Sequence, residues 1–116
     1  MFSGAVVSKR VLALAAFVSI FTCSFHAYGQ QTVEVIIQEY RFEPKEVRIR
    51  VGDTVKWLNR EKRTSHSVVF PVEQGGESER FFPDESWQRR FNAPGRFPYH
   101  CGPHPEMTGL IEVSAP

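Results

Sequence analysis

Apolar residues in this chain recur at every second position in short runs, and no stretch carries the three-to-four spacing of a long amphipathic helix. TVEVIIQ (32–38) places Val33, Val35 and Ile37 on one face. EVRIRV (46–51) sets Val47, Ile49 and Val51 against Arg48 and Arg50. Gly52-Asp53 reads as a turn, and TVKWLN follows it. After the charged loop REKRTS come HSVVF (66–70), an acidic loop from Glu73 to Glu85, WQRRFN (87–92), RFPYHC and GLIEV (109–113). Seven or eight short strands between turns imply an all-β fold, a Greek-key antiparallel β-sandwich. Trp57, Phe70, Phe91, Phe97 and Tyr99 are its expected core. Glu77 and Glu79 read as solvated loop. Arg89-Arg90 straddles both faces of its strand, as a docking contact or a solvated edge.

The first 29 residues read as a separate segment. Lys9 and Arg10 precede an apolar run from Val11 to Phe25, and Ala27-Tyr28-Gly29 places small residues where a signal peptidase cuts. The run is shorter than the roughly 20 apolar residues that span a bilayer. Residues 1–29 are therefore expected to be a signal peptide, cleaved near Gln30 or Gln31. Residues 30–116 would be one domain, exported to the periplasm without stable membrane insertion. An uncleaved anchor is the alternative; lipidation at Cys23 is disfavoured by Thr22 before it. Cleavage would leave 12 Lys and Arg against 13 Asp and Glu. A net charge of −1 makes nucleic acid an unexpected partner. Cleavage would also leave Cys101 as the one cysteine, so an internal disulfide is excluded. What remains is a buried filler, an intermolecular bridge, a reactive thiol or a metal ligand.

The stretch YHCGPHPEM (99–107) brings a thiolate, imidazoles and a thioether together on one loop. Taken singly, Met107 is a core residue opening the last strand and His104 a polar loop residue. Taken together, Cys101, His104 and Met107 suit copper, because thiolate and thioether are soft donors and imidazole binds both copper states. A trigonal site of two histidines and one cysteine, with a weak axial methionine, needs one more histidine. His100 is near, but strand alternation turns it away from Cys101. His66 opens a strand after a polar loop, 35 residues upstream, and spacing favours it over His100.

The same loop resembles the copper loop of the cupredoxins, the type 1 blue copper proteins of the plastocyanin/azurin family. Its short His-to-Met spacing is similar to that of the amicyanin branch. RFEPKEVRIRVGDTVKWLNRE followed by HSV resembles the upstream cupredoxin run of Phe-x-Pro, Gly-Asp-Thr-Val, Trp-x-Asn and His-x-Val. The resemblance covers Val33 to Val113 and implies the ligand set His66, Cys101, His104 and Met107 around one type 1 copper per chain. Ser67, Gly102 and Glu106 stand where amicyanins carry Asn, Thr and an aromatic residue. The first two positions help tie the ligand loops together in that family.

The resemblance implies a monomeric electron carrier, not an enzyme, since all four metal positions are filled by side chains. It would move single electrons between exported redox partners such as a dehydrogenase, a c-type cytochrome or an oxidase. The alternative is a copper-handling protein for delivery or tolerance, disfavoured by the lack of Met- and His-rich tracts after residue 29. Pro103 and Pro105 fix φ at two positions of the loop, which favours still ligands and fast electron transfer.

Overall fold

The computed structural model describes residues 3–4, 13–22 and 29–116. In the apolar leader, residues 13–22 form no helix or strand, and Leu14, Phe17, Val18, Ile20 and Phe21 are exposed. Cys23 and Ala27-Tyr28 of the expected cleavage segment lie outside the described residues. Among the described residues no helix is long and apolar enough to cross a membrane.

Seven strands follow: β1 (Thr32–Gln38), β2 (Arg41–Glu43), β3 (Glu46–Arg50), β4 (Thr54–Asn59), β5 (Ser86–Arg90), β6 (Gly95–His100) and β7 (Thr108–Ser114). One sheet has the order β2-β1-β4-β5 and the other β3-β7-β6. The all-β sandwich is as the alternation implies, but the sheets are mixed rather than purely antiparallel. β1 runs parallel to β4, setting Val35 beside Trp57, and β3 runs parallel to β7, setting Val47 beside Ile111. The cause is connectivity. The chain reverses after β1, continues through β2 into β3 of the opposite sheet across Pro44-Lys45, and reverses again at Gly52-Asp53. Two reversals return β4 along the direction of β1. Side-chain alternation reports the face a residue occupies and is silent on the direction of the neighbouring strand.

The second reversal is stapled by a buried carboxylate. Gly52 takes φ 99°, a left-handed conformation open to glycine. The Asp53 carboxylate accepts the backbone N–H groups of Gln31 and Arg50, both at 2.9 Å. One side chain thereby joins the entry of β1 to the exit of β3.

Between the sheets lies an aromatic core centred on Trp57, which is fully buried. Its ring meets Trp87 at 5.3 Å, Tyr99 edge-on at 5.4 Å and Phe70 at 6.2 Å between centroids. The expected core residues are all buried. The Arg89 side chain folds onto the aromatic core and is half-buried, so it is not a solvated edge. Its guanidinium stacks 4.5 Å from the Phe70 ring and 4.7 Å from Phe91, and desolvation lowers its pKa from the ordinary value. Arg90 alone faces solvent.

HSVVF is not a regular strand. His66 exchanges both backbone bonds with Phe81, at 3.1 and 3.0 Å, while Val69 exchanges both with His100, at 2.8 and 3.1 Å. The segment changes partner within three residues, so no ladder extends along it. That exchange joins the segment carrying His66 to the end of β6. Phe97 and Tyr99 point inward from β6, and the period of two carries Cys101 inward next, burying it completely.

Tyr99 faces Gly109 across the β6–β7 ladder. A Cβ added at Gly109 would run into the Tyr99 ring. The Gly109→Ala variant is expected to lose about 1–3 kcal/mol in urea unfolding at an unchanged m value. A loss inside the scatter of surface substitutions would show that the Tyr99 ring has room to move.

Candidate metal centre

Two loops bring the donors together. His66 is fixed by its paired backbone bonds to Phe81, and Cys101 leaves the end of β6 on the inward phase. Past Cys101 the chain doubles back: the Cys101 N–H donates to the Met107 carbonyl at 3.0 Å, and the Met107 N–H donates to the His104 carbonyl at 2.9 Å. Gly102, Pro103 and Pro105 suit so tight a return. Met107 is buried at its end.

The His66 Nδ1 lies 3.4 Å from Cys101 Sγ, and His104 Nδ1 lies 3.6 Å from the same sulfur. All three atoms fall within 4.8 Å of one another. The two imidazole rings sit 5.1 Å apart at 54°. His66 and Cys101 are fully buried and His104 is half-buried, so one ligand edge reaches the surface. His100 does not join the cluster; it lines a shallow apolar groove with Pro71 and Pro105.

Burial favours the metal-binding form at His66 and opposes it at Cys101. Desolvation lowers the His66 pKa, which favours the neutral ring; Glu61 partly opposes this, and His104 adds to it. Glu61 Oε1 stands 3.4 Å from His66 Nε2, an ion-pair distance without hydrogen-bond alignment. A carboxylate there favours a proton on Nε2 and leaves the Nδ1 lone pair facing the sulfur. Burial pushes the Cys101 thiol up. Backbone N–H groups of Ser67 and His104 and the Arg80 charge pull it down, and Glu106 raises it. A buried thiolate needs a cation beside it. Metal–ligand bonds of about 2.0–2.3 Å place trigonal donors roughly 3.5–4 Å apart, close to the separations at Cys101. One thiolate and two imidazoles, on a loop that ends in the buried Met107, form a donor set that fits copper.

Ser67 and Gly102 tie the loops together despite lacking the amide and hydroxyl that amicyanins carry there. The Gly102 N–H donates to Ser67 Oγ at 3.1 Å, and Ser67 Oγ donates to Glu77 Oε1 at 2.9 Å. A Cβ at Gly102 would strike both side-chain oxygens. Glu77 is therefore more than solvated loop: it closes the bridge. Sequence reasoning also missed Glu61 and Tyr40. Glu61 sits in a charged loop with no signal of its own, whereas Tyr40, an aromatic residue in a turn, was a visible oddity.

Comparison with known proteins agrees with the geometry. The family model described as copper binding proteins, plastocyanin/azurin family, matches residues 29–114. Amicyanin-alpha of Methylorubrum extorquens is 35% identical over 118 residues, covering 90% of this chain and 98% of that protein. Amicyanin of Paracoccus denitrificans is 35% identical over 85 residues, 70% of this chain and 64% of that one. The crystal structure of amicyanin from Paracoccus versutus superposes with a TM-score of 0.65 at 32% identity, covering 72% of this chain and 81% of that chain. A copper-containing nitrite reductase from Thermus scotoductus SA-01 gives 0.67 at 29% identity, over 73% of this chain and 23% of that one.

Glu61→Gln keeps the shape beside His66 and removes the charge. Copper affinity, read by competition with a chelator, is expected to fall about 10-fold or more, the usual range for such a partner of a ligand histidine. Glu79→Gln is the comparison and should leave it within twofold. Equal affinities in both variants would remove Glu61 from the site.

Proposed function

The chain belongs to the plastocyanin/azurin family of copper binding proteins and is no enzyme, and from that premise we propose that it is an exported single-electron carrier with His66, Cys101, His104 and Met107 as its copper ligands. The observation that supports this most is the convergence of His66 Nδ1, Cys101 Sγ and His104 Nδ1, which come from two loops 35 residues apart in sequence. Met107 enters the ligand set from the loop spacing, its burial and its backbone bond to Cys101. Copper supplies the one-electron couple.

The chain's own residues account for the rest. Burial of His66 and Cys101 keeps water off the inner face. Backbone bonds from Cys101 to Met107 and from Met107 to His104 hold the loop in one shape, and a ligand set that does not move keeps reorganisation small. His104 is the half-buried member, so its outer edge is the short path to a partner. Residues 1–29 would act as the export signal and be removed, leaving a periplasmic domain from residue 30. Redox proteins such as a c-type cytochrome, a dehydrogenase or an oxidase are the partners this reading implies for a monomeric carrier.

Copper delivery is the alternative use of the same donors. The mature segment lacks the Met- and His-rich tracts that hand metal over, since His66, His100 and His104 are its only histidines. Carriers exchange electrons quickly and release metal slowly. Electron self-exchange measured beside copper loss to a chelator separates the two uses.

Mature protein titrated with Cu(II) is expected to turn intensely blue at one copper per chain. Cys101→Ser and His66→Ala should each abolish the thiolate charge-transfer band, while His100→Ala should keep it. Colour surviving in Cys101→Ser would overturn the assignment, and the reverse result for the two histidines would replace His66 with His100.

A further inference from the structure

The turn between β1 and β2 is formed by Glu39 and Tyr40, with φ of 53° and 56°. Hairpin turns of this left-handed kind normally use Asn and Gly. Here a glutamate and an aromatic residue hold the positions, and neighbouring residues keep them there. The Tyr40 N–H donates to Glu61 Oε1 at 2.7 Å, and the Tyr40 hydroxyl lies 3.1 Å from Thr64 Oγ1. The turn is thus docked on the 60–64 loop. Its ring stands edge-on to His104 at 5.0 Å and to His66 at 6.0 Å, yet is 49% exposed. One side chain reaches from both histidines to solvent.

Beside Tyr40 opens a cleft lined by Glu39, Arg60, Glu61, Lys62, Arg63 and Thr64, among others. Its acids are engaged. Glu39 pairs with Arg41 at 2.8 Å, and Glu61 serves Tyr40 and His66. Arg60 pairs with Asp84 at 3.2 Å. Lys62 and Arg63 are exposed, and among the described residues neither has an acidic partner. The cleft therefore presents two uncompensated cations beside an aromatic ring that touches both histidines of the metal centre. On the far side of Tyr40 lies Glu106.

We propose that this cleft docks an acidic surface segment of the redox partner, with Tyr40 as the contact between that partner and the histidines. The proposal rests on the electron-carrier reading and names the kind of partner that reading leaves open. Charge complementarity selects the partner: carboxylates would complete Lys62 and Arg63, whereas a basic protein would meet Glu106 and two carboxylates, Glu39 and Glu43, that Arg41 already pairs with. Steering charges of this kind raise the association rate and make it depend on salt. A nucleic acid would need a longer basic stripe than two residues, on a chain whose net charge after residue 29 is about −1.

The experiment uses the mature protein in its diamagnetic Cu(I) form. Its amide spectrum is followed while the trivalent anion hexacyanochromate(III) is added as a paramagnetic probe. Broadening is expected at residues 60–64 and Tyr40. A hexaglutamate peptide should chase it, and Lys62→Gln combined with Arg63→Gln should weaken it at least fivefold. Broadening centred instead on Lys45, Lys56 or Arg90, or unchanged in the double variant, would overturn the proposal. So would chase by phosphatidylglycerol vesicles and not by the peptide, which would make the surface a lipid contact. The same titration on metal-free protein keeps the two readings separate. A protein that never turns blue but binds the anion at the cleft loses the carrier reading alone; a blue protein that does not bind it there loses only the docking site.

Discussion

Everything in this molecule turns on a buried thiol that has to give up its proton. Cys101 is wholly enclosed, and burial raises its pKa. A thiolate in that place is tolerable only with positive charge against it, and two neutral imidazoles supply none. The metal ion supplies it, so copper is bound in exchange for a proton and the fold carries the cost of keeping the site dry. The surrounding hydrogen bonds act in the same direction: backbone N–H groups of Ser67 and His104 already favour the thiolate. The sandwich delivers the sulfur to this position by alternation alone, as Phe97, Tyr99 and Cys101 take successive inward places at the end of β6.

Holding the other donors requires more than the core. His66 lies on a segment that changes pairing partner between Phe81 and His100, and that exchange locks its loop against β6. Glu61 stands at Nε2, which favours the neutral ring's proton on the side away from the sulfur. Ser67, Gly102 and Glu77 form a bridge whose close approach has no room for a side chain at Gly102. Tyr40 belongs to the same network through Glu61. The buried histidine and the exposed turn are therefore mechanically linked: the carboxylate beside His66 also holds the turn that carries the Tyr40 ring.

Much of this was legible in the residues. Alternation marked β1, β3 and β4 to within a residue, and the inward phase at Tyr99 excluded His100 from the cluster. The His66, Cys101 and His104 convergence was legible from the loop motif together with the upstream run. What was not legible has a physical cause in each case. Strand direction in β1–β4 and β3–β7 depends on where the chain crosses between sheets, which periodicity does not encode. HSVVF carries a strand's composition but divides its bonds between two partners. Arg89 read as a docking contact or a solvated edge because its strand neighbours are polar, and the rings it packs on, Phe70, Phe91 and Phe97, come together only in the folded chain. Glu61 and Glu77 sit in loops whose charge suggests water; only the folded chain brings one to His66 and the other to Ser67.

The central claim is that the protein, and not the metal, sets the donor positions. Crystal structures of the mature protein without metal and with Cu(II), solved in one crystal form, test it most directly. The account predicts that the separations of Cys101 Sγ from His66 Nδ1 and His104 Nδ1, 3.4 and 3.6 Å here, agree between the two within a few tenths of an ångström. A metal-free structure with His104 swung into solvent, or with the 101–107 loop refolded, would contradict it and make the metal the organiser of its own site.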